Sequence, residues 1–258
     1  MNQELKQHVL RALTKGVRFD GRKALEYRPI TVEYVISGSA EGSARVRMGG
    51  TEVLAGVKIE TSTPYPDTPN QGNLMVNAEL MALSNPAFES GPPGEQATEL
   101  ARVVDRAIRE SKSIDVHKLV IKPGEKVWGV NIDICTINDE GGLQDAACLA
   151  ALAALKDTRL PKLNENDDVD YDAEKTKEGL PLSREPVEVT VIKVGDQFFV
   201  DPLSEEEKAI EARLTVAVTE KGTVCALQKG GSAPLSPEEI DKMIEIAQKL
   251  APTLRKAL

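Results

Sequence analysis

"VWGVNIDICTINDEGGLQDAACLAALAAL", residues 127–155, changes its periodicity once. In its first part Trp128, Val130, Ile132 and Ile134 share one face at period two, as a strand with one side on a core would place them. "NDEGG", residues 138–142, is a turn. From Leu143 to Leu155 alanine and leucine fill nearly every position, so this helix is expected to be covered on more than one side.

The flanking chain repeats the theme. A first helix is expected over about residues 3–15, with Leu5, Val9, Leu10 and Leu13 as its stripe and Gly16 as its stop. "ITVEYVI", "GSARVRM", "TEVLAGVKIE" and "NLMVNAELMAL" read as strands, and "KLVI" as another short one. "GPPGEQATELARVVDRAIRESK" is a helix with Leu100, Val103, Val104, Ala107 and Ile108 on one side. Composition turns polar and acidic from Asp157 to about Pro186, as in a connector. Two hairpins follow, "VEVTVIKV-GD-QFFV" and "RLTVAVT-EKG-TVCALQK". The last helix carries Ser236 as cap, Pro237 at its first position and Glu239 closing a capping box. Strands then helices, twice over, define an α+β protein of two similar strand-plus-helix halves, with mixed sheets packed on helices. The expected divisions are residues 1–160, a connector over 161–186, and 187–258.

Composition narrows the function. Hydrophobic residues make up 41% of the chain, enough for a core, while only 3% are aromatic, so Val, Leu, Ile and Ala must build it. A net charge of −9 disfavours independent nucleic-acid binding, because phosphate rewards positive surfaces. No apolar run is long enough for a membrane span, and the amino-terminal stretch lacks the apolar region of a signal peptide. Cys135, Cys148 and Cys225 are sparse and unspaced, which suits reduced thiols in the cytoplasm. No phosphate-loop, nucleophile-elbow or dinucleotide fingerprint occurs, and His8 and His117 lack zinc-ligand spacing. Asp168, Asp170 and Asp172 begin like a calcium loop, but Ala173 and Gly179 stand where its Gly and Glu are needed.

Four stretches taken together resemble the RNase PH family of phosphorolytic 3′→5′ exoribonucleases: "VRFDGRKALEYRPI", "GSARVRMGGTEVLAGVKIE", "GPPGEQATELARVVDRAIRESK" and "DPLSEEEKAIEARLTVAVTEKG". The likeness runs from about Val17 to the last helix. The "GPP…ELARVVDR" stretch is similar, more narrowly, to the non-catalytic RNase PH-like subunit of the archaeal exosome. The resemblance implies an RNase PH-like fold in both halves. It also implies a chemistry in which inorganic phosphate attacks the terminal phosphodiester of RNA. Catalytic members seat that phosphate on a Ser/Thr-Arg pair after two glycines at a helix start. They add an Asp as general acid or ion holder, with a second Asp six residues on.

Leu143 and Gln144 stand at the positions of the pair, and Glu207 and Arg213 at those of the acids. Leu143 has no hydroxyl, Gln144 has no charge, and Arg213 reverses the charge. No catalytic residue is therefore expected, and the acidic run from Asp201 reads as the relic of an active-site segment. Ser204 and Glu207 also have the spacing of a capping box. Arg102, Arg106 and Arg109 share a helix face, which suits a solvated, ion-paired surface as well as a ligand. The resemblance favours RNA-backbone contacts for them. It further implies a hexameric ring in which this chain alternates with a catalytic RNase PH-like subunit. RNA-binding cap subunits and single-stranded RNA complete the expected partners. Any phosphate and divalent ion would sit at the partner's site, and no cofactor in this chain. A self-sufficient phosphorolytic exoribonuclease is the alternative.

Overall fold

The computed structural model describes residues 3–258; the first two residues of the expected first half lie outside that range. Helix α1 spans Gln3–Thr14 and ends at Gly16, which takes the left-handed φ of +73°. The first sheet comprises β1 (Ile30–Tyr34), β2 (Gly42–Met48), β3 (Thr51–Ser62), β4 (Asn73–Glu79), β5 (Val120–Lys122) and β6 (Lys126–Asn138). Its order is β1-β2-β3-β6-β4, with β5 also paired to β6. Only β4 runs parallel to its neighbour, so this sheet is mixed. The parallel step is bridged by α2 (Glu95–Glu110), because parallel neighbours need a long crossover.

The second sheet is antiparallel throughout. Its strands are β7 (Val187–Val194), β8 (Gln197–Val200), β9 (Ala212–Val218) and β10 (Val224–Gly230), in the order β10-β9-β7-β8. Helix α3 (Leu143–Asp157) packs on β2 and β3 of the first sheet and on β7 of the second. Eleven of its residues, Asp145–Leu155, are buried, which is why its sequence shows no polar face. A short α4 (Ser204–Glu207) links β8 to β9, and α5 (Pro237–Arg255) packs on β7 and β9. One core runs through both sheets and the three long helices; a smaller cluster seats α1 through Val9 and Leu13 on Ile192, Val194 and Phe199.

Several boundaries differ from expectation, each for a local reason. β4 stops at Glu79 instead of Leu83, where Ser84 closes a turn on the Met81 carbonyl. Strand β1 ends at Tyr34, since Val35 adopts a φ of +58°. The expected strand "KLVI" is half a 3₁₀ turn, Val116–Leu119, which Asp115 caps. The "GPP" stretch precedes α2, which begins only at Glu95. Helix α5 continues through Pro252, an exposed position in its last turn. The acidic connector is fastened to the first half by bridges at Arg159–Gly179 and Ile114–Leu182 and by ion pairs Lys122–Asp167 and Lys126–Asp168. Trp128 is in the core, as its strand face suggests. The three cysteines are free thiols, but only Cys148 is fully buried.

Candidate functional site

Two glycines shape the turn into α3. Gly141 and Gly142 hold φ of +88° and +69°. A Cβ on Gly141 would lie 2.3 Å from the Pro202 carbonyl oxygen, and one on Gly142 would lie 2.6 Å from Asp201 Oδ1. The pair therefore lets the loop between β8 and α4 lie directly on the amino end of α3.

That loop is held by buried charge. Asp201 is fully buried and holds a φ of +47°, a strained setting for a non-glycine residue. Its carboxylate accepts from the Arg28 amide (2.7 Å), Arg28 Nη2 (2.6 Å) and Arg22 Nη1 (2.7 Å). Arg28 goes on to the Glu140 and Gly141 carbonyls, at 3.0 and 2.7 Å. Beside it Arg18 grips both oxygens of buried Glu206 and donates to the Val200 and Asp201 carbonyls. The three arginines all come from the "VRFDGRKALEYRPI" stretch; sequence reading used them as a signature and gave them no role.

Glu207 is placed by a shift of one residue. The expected Ser204–Glu207 capping box does not form; instead the Glu206 carboxylate accepts from the Leu203 amide at 2.8 Å. Glu207 turns to α3, and its Oε1 accepts from the Gly142 amide at 3.0 Å. Burial raises the Glu207 pKa to about 7, against the lowering pull of that amide; Asp139 raises it further, and Arg213 and Arg28 lower it. Thus an amide at the helix start that could meet an external anion already has a carboxyl from this chain.

Leu143, Gln144, Glu207 and Arg213 line one cleft of about 920 Å³ between α3, α4 and the loop before α2. Leu143 offers only an apolar wall. Gln144 presents an amide, and its Oε1 is buried with no hydrogen-bond partner among the described residues. Arg213 does not face Glu207 as a partner: its Nη2 donates to Glu99 Oε2 at 2.6 Å, tying β9 to α2. The donor set suits neither a phosphate clamp nor a divalent ion. One carboxyl is engaged by an amide and the second acid position carries a cation. Asp145 was not singled out by the sequence. It is buried in the first turn of α3, accepting from Tyr27 Oη at 2.6 Å and from the Thr190 amide at 2.8 Å. Burial raises its pKa to about 6, although both hydrogen bonds oppose this.

The α2 arginines divide into three situations. Arg102 is exposed and has no side-chain hydrogen bond or ion pair among the described residues. Arg106 is half-buried and donates to Gln228 Oε1 of β10. Arg109 forms a two-point ion pair with Asp105, at 2.7 and 3.0 Å, and donates to the Leu74 carbonyl at 3.0 Å. Gln228 Nε2 in turn approaches Glu99 Oε1 at 3.4 Å. A chain Arg106–Gln228–Glu99–Arg213 therefore crosses from the helix to the second sheet.

This fold and site define a member of the 3′ exoribonuclease (RNase PH) family, to which the chain belongs. Domain 1 of that family matches residues 26–161 and domain 2 matches residues 185–249. Similar curated proteins include exosome complex component Rrp42 of Sulfurisphaera tokodaii, 45% identical over 258 residues, covering 98% of this chain and 94% of the relative. Exosome complex component Rrp42 of Methanopyrus kandleri is 45% identical over 255 residues, covering 98% and 96%. Among solved structures, a chain of the Archaeoglobus fulgidus exosome with RNA bound to the active site superposes with a TM-score of 0.90 at 42% identity, covering 98% of this chain and 97% of that one. A chain of an archaeal exosome core gives a TM-score of 0.86 at 39% identity, covering 98% and 96%.

Proposed function

We propose that this chain is a structural, non-catalytic subunit of a phosphorolytic 3′→5′ RNA-degrading exosome ring. It alternates there with a catalytic RNase PH-like subunit, helps to shape that subunit's active site and contributes RNA-backbone contacts. Full-length similarity to exosome components supports membership. The observation that carries the non-catalytic role is the Glu207 carboxyl on the Gly142 amide, with Leu143 and Gln144 beside it and Arg213 spent on Glu99. The amino end of α3 is thereby closed to phosphate by the chain's own side chains. Any phosphate and divalent ion of the reaction belong to the partner's site.

RNA contact is assigned first to Arg102, whose guanidinium is free, and then to Arg106, which needs only to leave an amide oxygen. Arg109 is the weakest of the three, because Asp105 and the Leu74 carbonyl already occupy its fork. Cap subunits that bind RNA complete the proposed assembly. The test is RNA binding by the ring assembled with a catalytic RNase PH-like partner, across a salt series. Arg102→Ala is expected to weaken binding and to flatten the salt slope by about 0.7 per lost contact. Arg109→Ala is expected to change neither. An unchanged slope for Arg102→Ala would overturn the assignment.

A further inference from the structure

Glu188 is an acid on β7, 1% exposed, and neither carboxyl oxygen has a hydrogen-bond partner among the described residues. An unpaired buried carboxyl is costly enough to call for an explanation. A small gap beside it is lined by Val103, Arg106, Thr215, Ala226 and Gln228. The gap lies against an irregularity in β10 between Val224 and Ala226, where the strand register shifts. The titratable groups around Glu188 are Arg106 from α2, Asp145 and Cys148 from α3, and Cys225 from β10. Arg106 is the only cation of that set, and it lines the same gap while its guanidinium rests on Gln228.

We infer that Glu188 is a positioning residue for Arg106, an inward docking point whose charge decides whether the guanidinium faces the surface or the protein interior. With the carboxyl neutral, Arg106 has no reason to turn inward and stays on Gln228, at the end of the Gln228–Glu99–Arg213 chain. Once ionised, the carboxylate is tolerable only if a charge-assisted partner meets it, and Arg106 is the cation that lines the same gap. Burial, with Asp145 adding to it and Arg106 opposing it, raises the Glu188 pKa well above its ordinary value, which favours the neutral carboxyl and the Gln228-bound setting of Arg106 toward low pH. The consequence for RNA rests on the proposed backbone contact of Arg106; the Glu188–Arg106 coupling itself does not.

Two measurements separate these layers. The first follows the side-chain carboxyl carbons of glutamate-labelled full chain by NMR against pH, with Glu188→Gln identifying the resonance. The expected midpoint lies well above 4.5 and moves higher still in Arg106→Ala, since the stabilising cation is gone. A midpoint in the ordinary range, or one indifferent to Arg106→Ala, overturns the inference. Glu188→Gln, neutral and of equal size, should fold normally. The second compares RNA affinity of the ring carrying wild-type or Glu188→Gln chain across the same pH range. The two are expected to match at low pH, and the wild type to weaken severalfold relative to Glu188→Gln above the midpoint. A constant ratio at every pH contradicts the gating of RNA contact. If Arg106→Ala leaves RNA affinity unchanged throughout, the RNA assignment of Arg106 fails, and the first measurement still decides the coupling.

Discussion

Arg18 and Glu206 form an ion pair with side-chain exposures of 0% and 2%, so each charge depends on the other. Replacing Arg18 by Met leaves the buried Glu206 without its cation and with only the Leu203 amide, and should cost about 3–5 kcal/mol in denaturant unfolding. A loss under about 1 kcal/mol would mean that the pair contributes little, as exposed pairs do. Glu207 supports a different prediction. A carboxyl whose folded pKa is raised favours the fold below its unfolded pKa, and that contribution is lost as pH rises through the folded value. For Glu207 the window runs from 4.5 to about 7. Glu207→Gln should therefore gain stability relative to wild type as pH rises across this window, with the difference flat above about pH 8. Equal pH profiles by thermal unfolding would contradict the burial account. The departures at residues 143, 144, 207 and 213 were legible in the sequence as substitutions in a pattern. The partners of those side chains were not. That Arg213 would clamp Glu99 depends on β9 and α2 lying side by side, which is a property of the fold and not of the local sequence.

Helix α3 joins fold to site. Its periodicity and all-apolar surface were readable, because burial on several sides leaves a compositional trace. Its start was readable too, since two glycines after a strand mark a turn. The use of its amino end was hidden, because the competing carboxyl arrives from α4, sixty-five residues away in sequence. That geometry predicts the outcome of placing a Ser-Arg pair at Leu143 and Gln144. Leu143→Ser with Gln144→Arg should leave phosphorolysis undetectable in the isolated chain, because Glu207 still holds the Gly142 amide. Adding Glu207→Asp, which shortens the side chain, and Arg213→Asp should be needed before nucleoside diphosphate appears. Robust release by the first pair alone would show that Glu207 does not close the seat. The boundaries read least well were those set by single residues: the strand ended by Val35, the 3₁₀ turn before β5, and the capping box moved from Ser204 to Leu203. In each, one hydrogen bond or one dihedral overrides a pattern that the flanking residues would otherwise continue.

The molecule as a whole is two sheets brought together around α2 and α3, with the arginine-bearing side of α2 and the cleft at the head of α3 linked through Glu99. Its division into strand-plus-helix halves followed from the order of elements, which is why the fold class could be read early. The parallel placement of β4 beside β6 could not, since strand order is decided by packing across the crossover helix. No described helix is long and apolar enough to cross a membrane. The net charge of −9 sits poorly with an independent RNA binder and well with a subunit that offers a few arginines within a larger assembly. The decisive measurement is phosphate-dependent release of nucleoside diphosphates from single-stranded RNA, by this chain alone and by the same chain assembled with a catalytic RNase PH-like partner. Silence alone and strong release in the assembly is the predicted result; sustained release by the chain alone would contradict it.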